Sequence, residues 1–89
     1  MASKEQDKGK IGKGKKITVR GVVRDVQATP IEGVRIYSVG NEKELAVTNK
    51  KGEYVLKQVA ADDVLIFSKE GHVSRRMLVE GHPVLNVRL

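Results

Sequence analysis

The stretch Gly21-Val22-Val23-Arg24-Asp25-Val26-Gln27-Ala28-Thr29-Pro30-Ile31-Glu32-Gly33-Val34-Arg35-Ile36 decides how the chain is read. Its two ends are β-branched, and Val and Ile, stiff at χ1, fit a pleated surface. Its middle holds Asp25, Thr29 and Pro30, which suit a connection whose backbone need not pair. The segment reads as two strands joined by a shaped loop.

Upstream, Ile17, Val19 and Val23 are spaced for one face of a strand over residues 17–26, while Arg20 and Arg24 share the other face with Val22 and Val26. Such a mixture predicts a strand partly covered on both sides. Gly21 within it marks a bulge or a close backbone approach. Downstream, Val34 and Ile36 alternate with Arg35 and Tyr37, residues 40–44 form a charged turn, and residues 45–48 a short third strand. Asn49-Lys50-Lys51-Gly52 has Asn at the first position of a type I turn and Gly at the end, the pattern of a hairpin with a bulge.

Tyr54 and Leu56 then point one way, and Glu53, Val55 and Lys57 the other. After a turn at residues 60–63, Val64-Leu65-Ile66-Phe67 is apolar on both faces and is the expected central strand. Residues 73–79 give another strand, and residues 84–89 close the chain with Leu85, Val87 and Leu89 alternating against Asn86 and Arg88. Seven short strands at near-regular spacing, with no helical period, predict an all-β, seven-stranded sandwich of Greek-key type. The expected core is Ile17, Val19, Val23, Val34, Ile36, Tyr54, Leu56, Leu65, Phe67, Leu85 and Val87.

With 89 residues the chain is one small domain. Residues 1–16 hold six Lys and three Gly, and Ile11 is their one large aliphatic besides Met1, so they are expected to be a disordered basic tail or linker. The folded domain is expected over residues 17–89. The tail carries six Lys against Glu5 and Asp7, a net of +4, and the remainder eleven basic against nine acidic residues, a net of +2, which together make the formal +6. The basic character therefore belongs mainly to the tail. The chain has no Cys, which excludes disulfides, thiolate metal sites and a cysteine nucleophile. Its longest apolar run is four residues, 64–67, so no membrane-spanning segment and no signal peptide is expected in this chain.

Taken together, the turns resemble the carboxypeptidase regulatory-like domain, a sandwich similar to transthyretin, and especially the version at the N-terminus of TonB-dependent outer-membrane nutrient receptors. That family shows Gly-x-Val-x-Asp, a loop, then Pro-(Ile/Leu)-x-Gly-Val-x-(Ile/Val); here these are Gly21-Val22-Val23-Arg24-Asp25 and Pro30-Ile31-Glu32-Gly33-Val34-Arg35-Ile36. It continues with Thr-Asp-x-x-Gly-x-(Tyr/Phe)-x-Leu, here Thr48-Asn49-Lys50-Lys51-Gly52-Glu53-Tyr54-Val55-Leu56, then Leu65-Ile66-Phe67-Ser68, Gly71 and a closing Leu85-Asn86-Val87-Arg88-Leu89. Ala28 and Asp62 depart from it where the family often has Gly in a turn, and His72 stands where an aromatic residue follows Gly71.

The resemblance implies a non-catalytic accessory or interaction domain of a cell-envelope protein, part of a longer exported chain. Its partner would be the remainder of its host receptor or a neighbouring envelope protein, and in isolation it would be a monomer. The alternative is a small carbohydrate-binding or adhesion module. Sugar stacking needs an exposed aromatic ring, and Tyr37 is the candidate ligand contact.

No arrangement of residues suggests a catalytic site, a cofactor or a metal. Glu70-Gly71-His72 and Glu80-Gly81-His82 repeat a triplet, but ten positions of extended chain set the two His about 30 Å apart. Turn chemistry with exposed His is the expectation. Asp62 and Asp63 are adjacent and face opposite ways on a strand, which predicts a solvated turn rather than a paired acid and base. Ser38, Ser68 and Ser74 have no activating neighbour in sequence. Related adhesin sandwiches form an internal Lys-Asn isopeptide bond with Asn on the last strand, but the alternation directs Asn86 outward. With Tyr37, Tyr54 and Phe67 as the only aromatics, a base-stacking platform for nucleic acid is not expected.

Overall fold

Alternation of β-branched and polar residues becomes seven strands in the computed structural model, which describes residues 15–89. The expected disorder of residues 1–14 lies outside the described residues. Lys15 and Lys16 belong to the folded part: the Lys15 carbonyl accepts from the Ala61 amide, and Lys16 pairs with Ala60. The strands are β1 (Lys16–Arg24), β2 (Arg35–Ser38), β3 (Lys43–Val47), β4 (Glu53–Ala60), β5 (Val64–Ser68), β6 (Arg75–Leu78) and β7 (Val87–Arg88). No helix among the described residues is long and apolar enough to cross a membrane.

Two sheets enclose one core. Sheet I has the order β4-β1-β7 and sheet II the order β3-β2-β5-β6. Every pairing is antiparallel except β1 with β7. The interior of sheet II includes β5, as its apolar run predicts. Leu65 and Phe67 are fully buried, while Val64 and Ile66 on the outer face are half-buried.

Ten of the eleven expected core residues are buried, and Ile17 is half-buried against them. Ile31, Val59 and Val79 complete the core. Ile31 is absent from the expected core; its amide donates to the Val23 carbonyl, which draws the loop inward. Across the core the Tyr54 and Phe67 rings meet edge to face at 5.4 Å, joining sheet I to sheet II.

One expected connection is corrected. Asn49-Lys50-Lys51-Gly52 forms the predicted turn, with Gly52 donating to the Asn49 carbonyl and Gly52 at φ 73°. It does not make a hairpin, because β3 pairs with β2 and β4 with β1, so the turn carries the chain from sheet II to sheet I. The Asn49 Oδ1 accepts from Lys51 and Glu53, and the Gly52 carbonyl accepts from Val23, which docks the turn on β1. A turn signal specifies local backbone but not which strands pair.

Gly21 makes the close approach rather than the bulge. A Cβ there would stand 1.9 Å from the Leu85 carbonyl oxygen. The bulge lies on β4, where Lys57 and Gln58 together oppose Thr18, with Gln58 at φ 60°. A second bulge sits at Leu45 on β3, between Glu44 and Ala46, which face the consecutive residues Tyr37 and Ile36.

Candidate interaction surfaces

Most polar groups singled out in the sequence serve the fold. Asp25 shapes the first loop: its Oδ1 accepts from Gln27 and Thr29, and its carbonyl from Ala28, whose φ is 70°. Ala28 thus adopts the left-handed conformation that suits Gly, as its place in the family pattern implies. Asp62, at the other such position, has no positive φ. Thr48 is buried and fastens the start of β2, accepting from the Val34 amide and donating to the Ile31 carbonyl.

The Asp62-Asp63 turn is solvated only in part. Asp62 is exposed, whereas Asp63 is buried. Asp63 Oδ1 accepts from the Gly40 and Val64 amides, and Oδ2 from the buried Ser38 hydroxyl. The Ser38 oxygen in turn accepts from the Asn41 amide. The expected solvation fails because Asp63 faces the end of β2, where unpaired amides attract a carboxylate. The arrangement caps a turn, and the serine proton is committed to that carboxylate.

The repeated Glu-Gly-His triplets flank β6 at its two ends. His72 donates its amide to Lys69 and His82 its amide to Val79, so each closes a four-residue turn. In the first only Gly71 has positive φ, as in type II; in the second Glu80 and Gly81 both do, as in type I′. Both His are exposed, as turn chemistry predicts. Among the described residues no three His, Cys, Asp or Glu side chains converge as metal ligands.

Asn86 is exposed, and its Oδ1 accepts from the Val22 amide at 3.0 Å. The Leu85 carbonyl, its neighbour, is taken by the Tyr54 hydroxyl at 2.6 Å. Asn86 therefore uses a side chain to continue the ladder from β1 where the backbone acceptor is engaged. Burial pushes the Tyr54 phenol well above its ordinary value.

Two outer faces remain. On sheet II, Tyr37 is half-buried between Glu44 of β3 and Ile66 of β5. It lines an open depression of about 480 Å³ with Gly33, Arg35, Ser68, Lys69 and Glu70. Arg35 pairs with Glu44 at 3.9 Å on the exposed side. Tyr54 and Phe67 are buried, so Tyr37 is the single aromatic ring presented here.

On sheet I, the outward side of β1 carries Arg20, Val22 and Arg24, with Val55 and Lys57 from β4 and Arg88 from β7 beside them. Strand alternation legibly placed Arg20 and Arg24 together; the addition of Lys57 and Arg88 depends on the strand order. Val55 and Val84 are 55% and 45% exposed and flank Arg20 from opposite sides.

No family model and no curated protein matches the chain. Among solved structures it is similar to the crystal structure of the C-terminal domain of the PapC usher, with a TM-score of 0.57 over 81% of this chain and 91% of that one, at 18% identity. At that identity the likeness establishes fold alone, and the fold is a two-sheet β-sandwich.

Proposed function

We propose that the chain is a non-catalytic accessory domain of a cell-envelope protein, built as a transthyretin-like Greek-key sandwich of the carboxypeptidase regulatory-like kind. Its most specific form is the N-terminal extension of a TonB-dependent outer-membrane receptor. The observation that carries this reading is the likeness to the usher domain: it spans 91% of a unit that is, by its own description, one terminal domain of another protein. The order and spacing of the family-like motifs support it further, since Gly21, Asp25, Asn49 and Gly52 each perform a local structural task. In this reading the domain works in the envelope, as a monomer, by contact with its host or a neighbouring protein.

A carbohydrate-binding module is the second reading, favoured by the half-exposed Tyr37 on its polar depression. One ring supplies stacking on one side of a sugar only. Amide NMR spectra of the labelled chain, titrated with a panel of oligosaccharides, separate the two. The accessory reading expects no shifts at Arg35, Tyr37, Ser68 or Lys69. Saturable shifts confined to those residues would replace it with the carbohydrate reading.

A further inference from the structure

We propose that the outer face of sheet I is a docking surface for an acidic, partly apolar polypeptide segment of a partner protein. This rests on the accessory-domain reading and names the chemistry of its partner. The strand register arranges the face in rows. Val55, Arg20 and Val84 form one row, and Arg24 and Arg88 lie directly side by side in the parallel β1–β7 pair. Like charges placed opposite one another across a sheet repel. No ion pair among the described residues engages either Arg. A carboxylate bridging the two would turn that repulsion into attraction.

Lys57 extends the positive face along β4, and Glu53 is the one acid on the outward side of the three strands. Between the charged positions, Val22, Val55 and Val84 line a depression of about 420 Å³ with Tyr54 at its floor. Alternating cations and recessed apolar side chains match a segment that alternates carboxylates with aliphatic side chains. Such a segment would neutralise Arg20, Arg24 and Arg88 while filling the depression, and the field of the face would steer its approach.

Other anionic surfaces fit less well. Binding at a lipid interface relies on protruding aromatic or long aliphatic groups, whereas the apolar groups here are short Val side chains lining a recess. A nucleic-acid strand seeks aromatic stacking partners, and the nearest ring, Tyr54, is buried with its hydroxyl on Leu85. Strand addition at the edges is also disfavoured. The β4 and β3 edges are bulged, β6 presents Arg75 and Arg76, and β7 has only two residues.

The test is an amide NMR titration of the full labelled chain with a short synthetic peptide alternating Glu and Leu. Parallel titrations use a Glu-Ser peptide, phosphatidylglycerol vesicles and oligothymidylate. The proposal expects the Glu-Leu peptide to shift amides in residues 20–24, 53–55 and 84–88, and Arg20→Glu and Arg88→Glu each to weaken binding about tenfold, as loss of a charge contact does. Should Arg88→Glu disturb the short β7 pairing, Lys57→Glu on the longer β4 makes the same test. Shifts confined to the Lys-rich residues 1–14, equal binding of the Glu-Ser peptide, or tighter engagement of this face by vesicles or oligothymidylate would overturn it. None of those results bears on the oligosaccharide titration, which reads the opposite sheet.

Discussion

Sheet II and sheet I solve the same problem by different means. Sheet II is antiparallel throughout, and two of its three pairings join strands adjacent in sequence, β2 with β3 and β5 with β6. Its backbone groups satisfy one another in ladders whose register shifts once, at the Leu45 bulge. Sheet I closes with a parallel pair in which β7 contributes two residues. There the ladder needs help: Gly21 clears space for the Leu85 carbonyl, Tyr54 donates to that carbonyl, and Asn86 accepts from Val22. The comparison teaches that a sheet with too few backbone partners is completed by specific side chains, and that its stability becomes concentrated in a few residues.

The largest expected effect tests whether the sheets melt together. Phe67 is fully buried in sheet II and touches Tyr54 of sheet I. Phe67→Ala should cost about 3 to 5 kcal/mol in denaturant unfolding, a large share of the stability of so small a domain. Amide exchange should accelerate in both sheets; acceleration in sheet II alone would mean that the two are not one cooperative unit. Gly21→Ala comes next, at about 1 to 3 kcal/mol, because the new methyl group has to displace the Leu85 backbone. Its exchange signature should centre on β1 and residues 84–89. Uniform loss across β2 and β5 would contradict a localised joint.

Tyr54→Phe removes the hydroxyl from the same joint and should cost about 1 to 2 kcal/mol. It also has a pH signature. The folded phenol titrates above its ordinary value of 10.0, so the stability it contributes is fully present below pH about 10 and falls as pH rises past that point, where the unfolded chain ionises first. Equilibrium unfolding should therefore show an alkaline decline in the parent chain that is smaller in Tyr54→Phe. An identical decline would remove Tyr54 as its source. The smallest effect is a gain: Ala28→Gly relieves a positive φ and should add about 0.5 to 1 kcal/mol, read as a raised Tm. No gain would mean that the freedom Gly brings to the unfolded chain offsets the relief.

The sandwich was legible because alternation reports which side of a strand is buried: Val19 and Val23 on β1 and Tyr54 and Leu56 on β4 are buried at even spacings, and β5 is apolar from Val64 to Phe67. Pairing was less legible. The Asn49-Gly52 turn has the composition of a hairpin, but its outcome depends on β1 competing for β4 over a long separation, which no local pattern records. Ile31 was missed because Pro30 and Glu32 on either side read as loop, whereas this loop buries the one side chain whose amide finds a partner on β1. Asp63 was missed because its neighbour Asp62 is exposed and sequence does not show that Ser38 and Gly40 end beside it. Of the basic face, Arg20 and Arg24 were readable from the strand period, while Lys57 and Arg88 join them only through the topology.

The joint at Asn86 also has a temporal consequence. Its bond to Val22 spans 64 positions in sequence, whereas β2–β3 and β5–β6 each close across a short turn. Long closures carry a larger entropic cost before any contact rewards them. The sheet II hairpins are therefore expected to form first, with the last strand docking after the barrier. Weakening that docking should quicken escape from the native state while leaving the folding rate almost untouched, so the side-chain joint governs how long the folded domain lasts more than how fast it forms.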